Sequence, residues 1–246
     1  MITRNFRVLA VLALVGAPAV SLSAQSLAAR VRSAPAARLQ FEFPARAGAC
    51  GDGQSFVSTG DNSFYGNYNI INGVSSRPCT PGPVSVVLDR ADGAITSIAT
   101  NVGPVNPAEG ATDLGTVSAR EAADYLMSLA NSAEGRASRD AILPATLAEG
   151  VDISAALLAL ARNQDRPLET RRTALSSLAR DDNPPREIAD ALVRIARDDN
   201  ENQSLRQHAF SVLARLPHGA GIPMLEQLAS DGPTSWAAEQ SLRSLA

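Results

Sequence analysis

Lysine is absent from this chain, and histidine, cysteine and aromatic residues are scarce. All 22 basic residues are arginines, and the 246 positions hold two histidines, two cysteines and 4% aromatic residues. With 25 acidic residues the formal net charge is −3, which argues against a nucleic-acid partner because phosphates call for a basic surface. Zinc sites are built largely from histidine and cysteine, so we expect no metal site and no cofactor.

The common catalytic motifs are also missing. His208 and His218 have neither the H-E-x-x-H spacing of a zinc protease nor a cysteine at metal-ligand spacing. The chain contains no G-x-S-x-G elbow, no phosphate-binding loop and no dinucleotide-binding glycine pattern. We therefore expect no catalytic residues and no enzyme activity.

No apolar run is long enough to span a bilayer. The stretch from Val8 to Val20 is too short for a core of ~30 Å and is interrupted by Pro18. It follows the charged sequence MITRNFR and precedes SLSAQS, which is the order of regions in a secretory signal peptide. Residues 1–24 are predicted to be cleaved, which removes two arginines and no acid and changes the formal charge from −3 to −5. The mature protein is expected to be periplasmic or secreted, with no membrane span.

The two cysteines, Cys50 and Cys79, both lie in the N-terminal half of the mature chain. In an oxidising compartment an even pair of cysteines is most simply a disulfide. A catalytic thiol is the alternative, and it would need a nearby base.

Residues 38–103 are predicted to form a small β module closed by that disulfide. Apolar residues alternate with polar ones in two runs: Leu39, Phe41, Phe43 and Val84, Val86, Leu88. This period of two is typical of strands, and Asp92-Gly93 after the second run predicts a hairpin turn. Residues 25–37 are predicted to be a flexible segment, and residues 104–117, rich in Gly and Pro, a linker.

Residues 118–246 have the pattern of helices joined by short turns. Ser118 and Glu121 have the spacing of a capping box at the start of the first helix. The predicted helices are 118–131, 135–148, 152–163, 167–180, 185–197, 202–215, 220–230 and 234–245. They make four antiparallel pairs.

The helical part contains an internal repeat. Arg162, Arg171, Ala174 and Leu178 recur 35 residues later as Arg197, Arg206, Ala209 and Leu213. Self-similarity at this period predicts an α-solenoid, in which neighbouring helix pairs share one core. Arg171 and Arg206 are expected to pair with aspartates in the turns between helices.

Three segments carry a family resemblance. TRRTALSSLA (170–179) and LRQHAFSVLA (205–214), preceded in their turns by Asp165 and Asp199, resemble HEAT-like repeats of the phycobilisome-lyase type. AAEQSLRSLA (237–246) keeps the apolar spacing but has Ala238 in place of the arginine. The resemblance covers about residues 135–246 and implies an interaction scaffold. The whole arrangement also resembles exported bacterial proteins with HEAT-repeat domains.

The leading hypothesis is a non-catalytic scaffold that binds a protein or peptide partner in the cell envelope. The resemblance implies that helices 152–163, 185–197 and 220–230 lie on the concave face of the solenoid. Arg162, Arg194 and Arg197 are the candidate binding residues there, since arginine is a frequent anchor in interfaces.

Two alternatives stay open. An envelope enzyme or a calcium-binding module could use the carboxylates of the β module around Asp52, Asp61 and Asn62, because calcium prefers oxygen ligands. A structural assembly unit could associate through the terminal helix, where an apolar patch around Trp236 would be the sign of it.

Overall fold

A computed structural model describes residues 25–59, 64–66, 70–71, 74–75, 78–104, 106–180, 186–230 and 235–244. The predicted signal peptide, residues 1–24, lies outside these ranges. The strands are β1 (Arg38–Phe43), β2 (Cys50–Gly51), β3 (Phe56–Ser58), β4 (Phe64–Gly66), β5 (Ile70–Ile71), β6 (Val74–Ser75), β7 (Val84–Ala91), β8 (Ala94–Val102) and β9 (Thr112–Thr116). The helices are α1 (Leu27–Ser33), α2 (Ala119–Ser132), α3 (Gly135–Asp140), α4 (Ile142–Thr146), α5 (Ser154–Arg162), α6 (Leu168–Leu178), α7 (Arg186–Arg197), α8 (Gln203–Ala214), α9 (Ile222–Ser230) and α10 (Ser235–Arg243).

The main sheet has four strands in the order β8-β7-β1-β9. β7 and β8 form the hairpin that the sequence predicts, with Ala91 opposite Ala94 across a two-residue turn. Asp92 and Gly93 both have positive φ, 50° and 79°, which is the conformation of a type I′ turn and the reason for the Asp-Gly pair. β1 runs antiparallel to β7 and parallel to β9.

The disulfide that was predicted from the cysteine count is present. Cys50 in β2 is bonded to Cys79, with the two Cα atoms 5.0 Å apart. β2 pairs with β3 and β3 with β4, so the crosslink closes a small sheet beside the main one.

The segment 25–37, predicted to be flexible, contains the helix α1 instead. Leu27 and Val31 are buried at i and i+4 on its inner face. The carboxylate of Glu121 accepts a hydrogen bond from the backbone N–H of Leu27 at 2.5 Å. At the other end, the Arg90 guanidinium donates to the carbonyls of Val31 and Ala34. A side chain from the rest of the fold thus satisfies each end of α1.

The predicted linker 104–117 also contributes to the fold, because it contains β9. Leu39 of β1 pairs with Thr112 and Glu42 pairs with Thr116, around an irregularity in register. Arg30 of α1 donates to the carbonyl of Leu114 at 2.6 Å. The sheet and α1 are therefore completed by residues that directly precede α2.

The helices follow the predicted pattern with one difference. Seven of the eight predicted helices agree within two residues with α2 and α5–α10. The predicted helix 135–148 is divided into α3 and α4 at Ala141. Pro144 explains the division, since it has no N–H to donate to the carbonyl of Asp140 and its ring crowds that carbonyl.

The sheet and the helices share one hydrophobic core. The buried apolar residues of β1, β7 and β8 form a continuous cluster with those of α2 to α10. The rings of Phe41 and Tyr125 meet edge to face with centroids 6.4 Å apart. Backbone hydrogen bonds also join the chain after β1 to the turn after α4, from Arg46 to Leu147 and from Glu149 to Pro44.

Candidate functional site

A cleft of about 480 Å³ lies where the main sheet meets the helices. Ile98 and Thr100 of β8 form one wall, and α3, α4, α6 and α8 form the other. The residues that line it are Tyr65, Ile98, Thr100, Arg139, Asp140, Leu143, Glu169, Arg172, Thr173, Ser176, Arg180 and His208. Its size is within the range of about 300 to 1,000 Å³ that is usual for ligand sites.

The helix α6 supplies most of the polar side chains in the cleft. Glu169, Arg172, Thr173 and Ser176 are spaced by three or four residues, so they share one helical face. The opposite face of α6 is buried through Ala174, Leu175 and Leu178. Because the apolar face of α6 is buried in the core, its polar face lines the cleft.

Three arginines line the cleft. Arg139 forms an ion pair with Asp140, the closest N···O distance being 2.9 Å. Arg172 reaches Glu169 at 3.3 Å, and its Nε is buried without a hydrogen-bond partner among the described residues. The guanidinium of Arg180 lies over the ring of Tyr65, 5.1 Å from the centroid. In the described part of the chain, Arg180 has no carboxylate partner.

A serine and a histidine also meet in the cleft. The Nε2 of His208 is 2.7 Å from the Oγ of Ser176 and 3.2 Å from the carbonyl oxygen of Arg172. A carbonyl oxygen only accepts hydrogen bonds, so this contact favours the tautomer that carries its proton on Nε2. In that tautomer Nε2 cannot remove the proton from Ser176, as a base in nucleophilic catalysis must.

The protonation of His208 is shifted by its surroundings. Burial lowers the pKa of His208 from its usual 6.5, and the charges of Arg172 and Arg215 lower it further. The ring is therefore neutral at pH 7, and the formal charge of the cleft comes from three arginines and two carboxylates.

The predicted binding residues lie elsewhere. Arg162 is at the end of α5, and Arg194 and Arg197 are in the last turn of α7. All three are exposed, and none of them lines the cleft, which is formed by α6 and α8 rather than α5 and α7. Sequence reasoning missed the cleft, although the polar spacing on α6 is a signal that could have indicated it.

The described residues of the β module provide few ligands for a cation. One carboxylate oxygen of Asp52 accepts hydrogen bonds from the backbone N–H groups of Gln54, Ser55 and Phe56 at 2.8 to 2.9 Å. This use of Asp52 is that of a turn-forming side chain. Asp61 and Asn62 lie outside the described residues. Within the described ranges, no three His, Cys, Asp or Glu side chains converge as a metal site requires.

Among the described residues, the surroundings of Trp236 are mainly polar and not the apolar patch that an assembly surface would need. Trp236 of α10 is 66% exposed. A shallow cavity beside it is lined mainly by polar residues: Gln207, Ser211, Gln240, Ser241 and Ser244.

Most of the helices that line this cleft or contain the exposed arginines lie in a segment that matches a known family model. Residues 154–246 match the family model of HEAT repeats. The matched segment comprises α5 to α10 and so includes the polar face of α6, and the match begins later than the resemblance at about residue 135 suggested. No curated protein and no solved structure matches the chain. Among the described residues, no helix is long and apolar enough to cross a membrane.

Proposed function

We propose that this chain is an exported, non-catalytic scaffold that binds a protein or peptide partner through its HEAT repeats. The match over residues 154–246 carries the proposal, because HEAT repeats generally mediate protein–protein interaction. Stacked helix pairs present extended surfaces for this purpose. We also propose that the repeats are of the phycobilisome-lyase type, which segments 170–179 and 205–214 resemble.

The surface proposed for the partner is the row of α5, α7 and α9, the concave side of a solenoid arrangement. α7 buries Ile188, Leu192 and Ile195, so Arg194 is on the opposite, exposed side. Arg162 and Arg197 extend the same positive surface at the ends of α5 and α7. Arginine has the length and the hydrogen-bonding capacity of a typical interface anchor.

Charge reversal at Arg194 tests this surface. Immobilised wild type and Arg194→Glu would be compared for the proteins they retain from a cell-envelope extract. We expect the variant to fold normally, because the position is exposed, and to lose the partner. The matched control is Arg120→Glu, another exposed arginine, which lies on α2 outside the HEAT repeats. An identical set of retained proteins for wild type and Arg194→Glu would rule out the α7 surface.

Export is tested separately. Expression of the full chain in a Gram-negative host should yield a periplasmic or secreted product that begins at Ala24 or Gln25. Retention in the cytoplasm with the N-terminus uncleaved would contradict the signal-peptide prediction.

A further inference from the structure

We infer that the cleft between the sheet and the helices binds a carboxylate, with Arg180 as its anchor, and that its ligand is a peptide segment with an acidic group next to an apolar side chain. The peptide assignment rests on the proposed function, since HEAT repeats generally bind proteins. The cleft itself is separate from the α5–α7 surface proposed above.

The first argument is that Arg180 is held in place but has no carboxylate partner among the described residues. Its guanidinium is held over the Tyr65 ring, which orients the planar group and leaves its N–H donors at the edge of the plane. Among the described residues no carboxylate pairs with it. An oriented guanidinium of this kind matches the two oxygens of a carboxylate with two parallel hydrogen bonds.

The second argument is charge balance. Arg139 is compensated by Asp140, and Arg172 by Glu169, so among the described residues that line the cleft one positive charge remains, on Arg180. A single carboxylate would complete the balance, whereas a phosphate monoester would bring close to two negative charges at pH 7.

The third argument is the shape and polarity of the walls. Ile98, Leu143 and the Tyr65 ring give the cleft an apolar side opposite the polar face of α6. A ligand that pairs with Arg180 alone would leave this apolar side in water. Burial of an apolar neighbour would add to the binding energy, and a volume of about 480 Å³ holds a short peptide segment but not a folded element.

Direct binding of a designed probe tests the inference. The probe is a fluorescein-labelled eight-residue peptide that alternates glutamate and leucine, and its control has glutamine in place of each glutamate. Fluorescence anisotropy would be measured with the full mature chain. We expect wild type to bind the acidic probe, and to bind the glutamine probe roughly tenfold more weakly or less well still, as the loss of a charge-assisted hydrogen bond predicts.

Three variants locate the site. Arg180→Gln should weaken binding of the acidic probe by about tenfold or more, and it should abolish the preference over the glutamine probe. Arg180→Lys should fall between the two, since it keeps the charge but not the planar fork. Arg120→Gln should bind like wild type. Thermal unfolding of each variant checks that the fold is intact.

Other outcomes would overturn the inference. Equal binding of the acidic probe by wild type and Arg180→Gln would remove Arg180 as anchor, and no binding of the probe by wild type at millimolar concentration would remove the carboxylate site. Displacement by free hexanoate at concentrations no higher than those of the peptide would show that a small carboxylate, not a peptide, is the ligand. These results are independent of partner capture by the α7 surface, which is scored with Arg194→Glu.

Discussion

Arg171 and Glu201 form an ion pair in which both side chains are almost fully buried, with 5% and 6% of their surface exposed. Arg171 belongs to α6, and Glu201 lies in the turn before α8. The Nε of Arg171 also donates to the carbonyl of Ala161 at the end of α5 at 2.8 Å, and Glu201 accepts from the backbone N–H of Asn202 at 2.7 Å. One ion pair thus joins successive helix pairs.

The pair was expected at Arg171, but with a different partner. The sequence suggested aspartates in the turns, and Arg206 does pair with Asp199, an exposed residue. Arg171 is paired with a glutamate of the following repeat instead. Arg171 is removed from solvent, and its partner is a glutamate in the next turn, whose side chain is longer than that of an aspartate.

Loss of the buried Arg171–Glu201 pair is predicted to lower the free energy of unfolding strongly. Glu201→Ala leaves the guanidinium of Arg171 buried without a counter-charge, and we expect the free energy of unfolding to fall by about 3 to 5 kcal/mol. Asp199→Ala removes the exposed pair with Arg206 and should cost about 1 kcal/mol or less. Urea denaturation of both variants makes the comparison. Similar losses in the two would mean that the burial of the Arg171–Glu201 pair has no energetic effect.

Glu121 is predicted to hold α1 in place. Glu121→Ala removes the acceptor for the Leu27 N–H, a capping interaction worth about 1 kcal/mol. Limited digestion with trypsin should then cleave faster after Arg30 and Arg32 in α1. Ser118→Ala is the control, because Ser118 caps α2 through the N–H of Glu121, whereas the Leu27 N–H of α1 donates to the side chain of Glu121. Unchanged cleavage rates at α1 would show that Glu121 is dispensable for its docking.

The disulfide is predicted to stabilise the small sheet. The bond spans 29 residues, and the loop-entropy account gives a contribution of roughly 3 to 4 kcal/mol. In the double variant Cys50→Ser, Cys79→Ser, hydrogen exchange should increase more in β2 and β3 than in α8. Mass mapping of the purified protein without reducing agent should recover the linked peptides. Two free thiols in that material would contradict the oxidised state.

The stability of the fold is predicted to depend on pH through His208. Because the folded-state pKa of His208 is lowered, the unfolded chain binds this proton more readily. The contribution of the neutral ring is fully present above the unfolded pKa of about 6.5 and is lost as the pH falls from there to the lowered folded value. Wild type should therefore lose more stability between pH 7.5 and pH 5.5 than His208→Gln does.

A control separates His208 from the second histidine. His218 is exposed and has a positive φ of 55°, a conformation that asparagine tolerates. His218→Asn retains the contribution of His208 and should show the wild-type dependence on pH. If His208→Gln showed the same dependence as wild type, the shifted histidine would not be the source of the effect.

Local patterns explain why much of the secondary structure was predictable. The helices α5 to α10 bury an apolar stripe at helical spacing, and their turns contain Gly, Pro, Asp and Asn. The hairpin of β7 and β8 has its own signal in Asp92-Gly93. Each of these features depends on residues that are close together in the sequence, so a single sequence contains the information.

The missed elements depend on distant partners. β9 has the sequence TDLGT, without the alternation of a half-buried strand, and it joins the sheet through its backbone beside β1. α1 has only two buried apolar residues, and its ends are satisfied by Arg90 and Glu121. The cleft likewise requires α6 and α8 to lie opposite β8. Such contacts arise only once the chain has folded.

The parallel pairing of β9 with β1 determines where the protein can be cut. A fragment that ended at residue 103 would keep β1, β7 and β8 but would leave the backbone N–H and C=O groups along one side of β1 without partners. An uncovered strand edge of this kind recruits strands from other molecules and leads to aggregation. For truncations and fusion proteins, residues 104–117 therefore cannot be treated as a spacer between the sheet and the helices, even though this stretch has a spacer's composition of glycine and proline.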